Sequence, residues 1–300
     1  MHRRRARLVV AGCGGGGSSG AAPEDGTGGT LRIAMSAANI PQPVTPPTEG
    51  GEGLRFVGMT IYDGLTRFNT EQGEVMPTPQ PGLAESWTVS EDKLTWTFTL
   101  RHGVTFHDGS PFNADAVIFQ FNRMKNPDFE YYDQLNAPKH AEQYRSFKSW
   151  EKIDDYTVAI TTTAPTAWLD WSLAQIMLPS PAVVQQYGNE DYAAHASGTG
   201  PFKMVRYVDG EVMELEANPD YYRGRPKLDR IILYPQAEAA SRTASLQAGE
   251  VEWAEVPAPD SLPSLEAQVS RSTSPTTRTR SSSGSTSSGR RSPTSACGRR

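Results

Sequence analysis

Residues 94–121 read LTWTFTLRHGVTFHDGSPFNADAVIFQF, and this stretch decides the fold class. From Leu94 to Leu100 the side chains alternate, with Leu94, Trp96, Phe98 and Leu100 on one face and three threonines on the other. That period of two predicts a half-buried strand. A turn is expected at His107-Asp108-Gly109-Ser110. Beyond it Asn113 can cap a helix in which Ala114, Val117, Ile118 and Phe121 share one face, ending near Asn126-Pro127. Within 28 residues the hydrophobic period changes from that of a strand to that of a helix.

The same alternation extends outward. Ala84 to Val89 precedes the strand across Ser90-Glu91-Asp92-Lys93, a polar connection suited to a hairpin. A second hairpin is expected from Glu151-Lys152-Ile153 through Asp154-Asp155 to Tyr156–Ile160. Further strands are expected at Thr30 to Met35, Phe202 to Tyr207, Val212 to Glu216 and Leu228 to Tyr234, with a helix from about Ala237 to Ala248. The pattern is mixed α/β.

Composition narrows the function. The chain carries a formal net charge of -5, yet its last 33 residues hold seven arginines and no acid, so 22 basic residues face 34 acidic ones in the rest. A body that acidic disfavours nucleic acid and anionic lipid as partners and suits a small neutral or cationic ligand. No run reaches the roughly 18 apolar residues of a membrane span. The two cysteines, Cys13 and Cys297, have no metal-site or redox spacing.

The ends differ from the middle. Arg3-Arg4-Arg5-Ala6-Arg7 precedes Leu8-Val9-Val10-Ala11-Gly12-Cys13, the order of an export signal with an abbreviated apolar stretch. Val10-Ala11-Gly12-Cys13 looks like a lipobox, which makes Cys13 the expected acylation site. An ordinary free thiol is the alternative. Residues 1–28 are accordingly expected to be a shortened lipoprotein signal and a Gly/Ser tether. Residues 268–300, rich in Ser, Thr and Arg, lack the apolar material for a packed core and are expected to be disordered, through a reading-frame change rather than as a basic RNA-binding or phosphorylated tail.

Residues 29–267 carry a family resemblance. Tyr62-Asp63-Gly64-Leu65-Thr66, Pro81–Trp87, Leu100–Val117, Gly198-Thr199-Gly200-Pro201-Phe202, Asn218-Pro219-Asp220-Tyr221-Tyr222 and the run from Arg242 to Val251 resemble, in order, the peptide/nickel solute-binding proteins (family 5) of ABC importers. The resemblance implies the N-terminal part of a class II periplasmic-binding-protein-like α/β fold, two lobes and a hinge closing on a ligand between them. It also implies a monomer without cofactor or catalytic activity, held outside the plasma membrane. There it would capture a short peptide, or less readily nickel or another solute, for permease subunits in the membrane. Members of the family run well past this point, so an inactive fragment is the competing expectation.

The motifs themselves have structural explanations: Gly103, Gly109, Gly198, Gly200 and Gly210 suit turns needing permissive backbone angles. For the ligand, Ser36–Ile40 resembles the loop facing the cleft, where Asn39 offers an amide or is simply a surface residue. Trp168 and Trp171 could stack on a ligand, although their near-helical spacing suits the core. His102 and His107 flank a turn with no third metal ligand nearby in sequence.

Overall fold

The computed structural model describes residues 27–70 and 76–272, with side chains as far as residue 267. In chain order the described strands are β1 (Thr30–Met35), β2 (Thr66–Phe68), β3 (Pro79–Pro81), β4 (Ala84–Val89), β5 (Thr95–Leu100), β6 (Phe147–Asp154), β7 (Thr157–Thr162), β8 (Phe202–Val208), β9 (Val212–Ala217), β10 (Arg230–Pro235) and β11 (Trp253–Ala254). They form a five-stranded sheet in the order β11-β1-β10-β9-β8, a four-stranded sheet in the order β4-β5-β7-β6, and the pair β2-β3. The four-stranded sheet is antiparallel throughout, whereas β1 runs parallel to both β10 and β11.

The decisive stretch folds as its periods dictate. Trp96, Phe98 and Leu100 point into a core where the last two are fully buried. The helix Ala114–Lys125 begins where the Asn113 Oδ1 accepts the Ala116 N–H at 3.3 Å, which satisfies an otherwise orphaned first-turn donor. Its Ala114, Val117 and Phe121 join Phe98, Leu100, Val158 and Ile160 in one core. Fully burying each large apolar side chain contributes about 1.5–3 kcal/mol. The second hairpin is present, and β6 starts four residues before the expected Glu151. At its turn the Asp154 Oδ1 accepts the Tyr156 N–H at 2.8 Å.

A second core lies under the five-stranded sheet. Ile33, Met35, Met213, Leu215 and Leu233 pack there with Val57, Ile61 and Tyr62 from the helical segment 50–61 and its end. Arg123, whose side chain is fully buried, joins the helix Ala114–Lys125 to the regions around it: Nη2 meets Asp133 Oδ2, Nη1 the Thr45 hydroxyl and Nε the Asn189 Oδ1, each at 2.7 Å. Burial lowers the Arg123 pKa and the Asp133 charge opposes that fall. A buried guanidinium is tolerated because its donors are met and its charge is paired.

The described residues up to Ala258 form one compact unit. A separate unit starts at Pro259 and holds the helix Leu262–Ser272, which passes Ala267 and enters the Ser/Thr/Arg-rich stretch. The rest of that stretch, Cys13 with its signal-like sequence and most of the tether lie outside the described residues.

Candidate functional site

Segments far apart in sequence meet around Asp63. Its carboxylate accepts the Thr199 hydroxyl at 3.1 Å and the Tyr221 hydroxyl at 3.2 Å. Burial pushes its pKa up to about 7, against those hydrogen bonds and the Arg223 charge, which favour the ionised form. The Asn218 side-chain amide donates to the Gly200 carbonyl at 3.1 Å, and the same carbonyl faces His107 Nε2 at 2.9 Å. Because the Gly198 N–H donates to His107 Nδ1 at 3.4 Å, the Nε2 nitrogen carries the proton. Burial pushes the His107 pKa down to about 4, so the ring is neutral near pH 7. His102 instead stacks on Tyr156 with ring centroids 3.7 Å apart. The two histidines are thus engaged separately by the fold.

Two of the five glycines serve differently from the turn role expected of them. Gly103, Gly109 and Gly210 have φ of 72°, 86° and 69°, as turns require. Gly198 and Gly200 do not have positive φ; they let the backbone lie against Ile61, and a Cβ on Gly200 would sit 2.6 Å from both the Ile61 carbonyl carbon and the Thr60 oxygen. No local sequence signal announces such a close approach. The Asp63 junction is therefore a brace, tying the residues just before β2 to the entry of β8 and to the turn beyond β9.

The parallel strands β1, β10 and β11 end on the same side, and their carboxyl ends carry a polar rim. Ser36, just after β1, donates its N–H to Glu255 Oε2 at 3.2 Å and its hydroxyl to the same oxygen at 3.3 Å. Glu52, from the segment 50–61, also accepts the Ser36 hydroxyl, and Arg55 pairs with Glu255. Burial raises the Glu52 pKa, and its hydrogen bond with Glu255 and the charge there raise it further. Against burial, the Glu255 pKa is lowered by the Glu52 hydrogen bond, the Ser36 N–H and the Arg55 charge. The two shifts run in opposite directions, so Glu255 is the more readily ionised of the pair.

Arg242 locks this rim from behind. Its guanidinium, 3% exposed, donates to the carbonyls of Glu255, Gln236 and Ala237 at 2.6 Å and of Val256 at 2.9 Å. Four backbone carbonyls on one planar fork fix the chain where β10 and β11 end, with Val256 at φ 43°. Trp253 meets Phe56 edge-on at 5.4 Å and keeps a partly exposed indole. The rim brings together a hydroxyl, two carboxyl groups and a guanidinium.

Sequence reasoning missed Glu52, Arg55 and Glu255, because Ser36 and Glu255 stand 219 residues apart. Asn39 is exposed on the loop beyond Ser36, beside the β8–β9 turn, where a Cβ on Gly210 would lie 3.8 Å from its Oδ1. Trp168 does not join the core as its spacing suggested: it is 53% exposed, and the neighbouring Leu169 and Leu173 take the buried positions. Trp171 is half-buried and tilts on Phe68 at 5.3 Å. Asn39 and the two tryptophans share no hydrogen bond or ring contact among the described residues.

In open α/β sheets the crevice outside the carboxyl ends of parallel strands is where ligands are held. Parallel strands with a polar rim at their carboxyl ends place the chain in the class of open-sheet α/β proteins. The chain belongs to the bacterial extracellular solute-binding proteins, family 5, whose middle region matches residues 78–287. It is 35% identical over 212 residues to the glutathione-binding protein GsiB of Pectobacterium atrosepticum, covering 69% of this chain and 39% of that one. It is 32% identical over 268 residues to di/tripeptide-binding protein 4 of Pseudomonas aeruginosa, covering 78% and 48%. Among solved structures, the periplasmic binding protein DppA of Helicobacter pylori, in complex with peptide STSA, superposes with a TM-score of 0.72 at 29% identity, covering 81% of this chain and 50% of that one. The chain thus spans about half the length, or less, of these relatives, and its α/β fold is the periplasmic-binding-protein type over that part.

Proposed function

We propose that this chain supplies one wall of a solute-binding cleft, and that the protein captures short peptides or similar small solutes outside the plasma membrane for an ABC permease. The observation that carries the reading is the rim at the carboxyl ends of β1, β10 and β11. There Ser36, Glu52, Arg55 and Glu255 place both signs of charge and hydrogen-bonding groups along an extended edge. A peptide carries both charges at its ends and alternating donors and acceptors between them, which such an edge matches. Relatives named for glutathione and for di- and tripeptides support the same solute class.

Asn39 and the exposed Trp168 and half-buried Trp171 are further contacts for the solute's polar and flat groups. Binding proceeds by closure of two lobes about a hinge, with no bond made or broken and no cofactor. Acylation at Cys13 holds the protein, as a monomer, on the outer face of the membrane. No helix among the described residues is long and apolar enough to cross a membrane.

Isothermal titration with a mixed di- to pentapeptide pool tests the reading. Saturable heat from a cooperatively folded sample is expected, and the absence of heat from such a sample refutes it. A second reading arises from the chain's spanning about half the length of its relatives. On that reading the chain is an inactive fragment that holds no ligand by itself, and retention needs further polypeptide. Heat regained with a longer gene product, and absent from this chain, would distinguish it.

A further inference from the structure

Among the described residues aspartate is followed by glycine three times, at Asp63-Gly64, Asp108-Gly109 and Asp209-Gly210. Such a pair can close on itself. The glycine nitrogen, with no Cβ of its own residue to hinder it, attacks the protonated side-chain carboxyl of the aspartate before it. A C–N bond forms, a C–O bond breaks and water leaves, which gives a five-membered succinimide. Water then opens one of the two ring carbonyls and yields either aspartate again or isoaspartate, whose main chain runs through Cβ. The net change is an isomerisation with no oxidant, reductant or added group.

The attack needs a carboxyl free to turn and a peptide nitrogen free to leave its place, and the three pairs differ in both. At Asp63 the two oxygens accept the Thr199 and Tyr221 hydroxyls, and Gly64 is so enclosed that a Cβ on it would lie 2.4 Å from the Leu173 carbonyl oxygen. At Asp108 the Oδ1 accepts the Ser110 and Ser197 hydroxyls and the Oδ2 accepts that of Ser180, each at 3.0 Å. The Gly109 N–H donates to the Phe106 carbonyl at 2.9 Å. Carboxyl and glycine are thus both held at these two places.

Asp209-Gly210 is different. It forms the exposed turn between β8 and β9, where the Asp209 Oδ1 accepts the Tyr207 hydroxyl at 3.0 Å. Among the described residues its Oδ2 accepts no hydrogen bond and the Gly210 N–H donates none. One backbone hydrogen bond, from the Glu211 N–H to the Val208 carbonyl at 3.0 Å, spans the turn, so a small opening at the hairpin's end releases the nitrogen.

We propose that Asp209-Gly210 is a site of spontaneous isoaspartate formation in the folded protein, and that the fold protects Asp63 and Asp108 from the same reaction. The product lengthens the main chain of the turn by one methylene and leaves the carboxylate on Cα, away from its place beside Tyr207. Because a Cβ on Gly210 would lie 3.8 Å from the Asn39 Oδ1, the change reaches the loop beyond Ser36.

Folded protein kept in H₂¹⁸O at pH 6 for several weeks, then digested in ordinary water, tests the assignment. Mass spectrometry with electron-transfer fragmentation tells isoaspartate from aspartate, and each passage through the succinimide fixes one ¹⁸O. Isoaspartate and ¹⁸O are expected in the Asp209 peptide at about tenfold or more above the Asp63 and Asp108 peptides, with the difference levelled in urea. Asp209→Glu, which keeps the charge but would have to close a six-membered ring, should lose the label from that peptide. Equal labelling of all three peptides in the folded protein, an Asp209 peptide that labels only in urea, or label persisting in Asp209→Glu overturns the assignment.

Discussion

Replacing Asp63 by asparagine should stabilise the protein at pH 8 and leave it little changed at pH 4. In the folded chain burial lifts this carboxyl from 3.8 to about 7. Between those values the folded state holds a proton that the unfolded state has released, so the stability that protonated Asp63 provides is complete below pH 4 and drains away up to pH 7. At about 1.4 kcal/mol per pH unit, the interval corresponds to about 4 kcal/mol of stability lost on going to neutral pH. Asparagine keeps the shape and can still accept the Tyr221 hydroxyl and donate to Thr199, without a charge to bury. Urea unfolding of both proteins at half-unit steps from pH 4 to pH 8.5 measures the difference, and other titrating groups cancel between the two curves. Parallel curves, or an asparagine variant that is the weaker of the two at pH 8, would show that Asp63 is not held protonated by burial.

Three further outcomes can be checked by the same unfolding measurement. Gly200→Ala should cost about 2–3 kcal/mol by forcing the backbone away from Ile61, whereas Gly103→Ala, with open space around it and φ 72°, should cost about 1 kcal/mol. Arg242→Lys should cost about 3 kcal/mol, because one ammonium cannot serve the carbonyls of Gln236, Ala237, Glu255 and Val256 together; a loss below 1 kcal/mol would show that water replaces the fork. Asn113→Ala should cost about 1 kcal/mol and Asn113→Ser almost nothing, since serine also caps.

What could be read in advance was what short-range periods encode. β1, β4, β5, β8, β9 and the helix Ala114–Lys125 lie where alternation or a cap puts them. The pair β2–β3 was not legible, because three-residue strands leave no period and two prolines occupy β3. The helix Pro181–Asp191 was overlooked although its signal is present: Ser180 accepts the Val183 N–H, and proline occupies the first helical position. The segment 50–61 opens with Gly-Gly-Glu-Gly, a poor helix start that tertiary packing overrides. The rim was invisible for a different reason, since Ser36, Glu52 and Glu255 become neighbours only once β1 and β11 are side by side.

Because Thr30 registers with Arg230 and Ile33 with Trp253, β1 has neither lateral neighbour until about two hundred further residues exist. A chain made or delivered amino end first must carry this apolar ribbon unpaired for most of that time, and ring closure over such a span is slow. The four-stranded sheet, whose hairpins are local, can consolidate meanwhile. The seam along β1 is thus the last part of the molecule to be sewn, and the interval before it closes is when a chaperone or a protease has its chance.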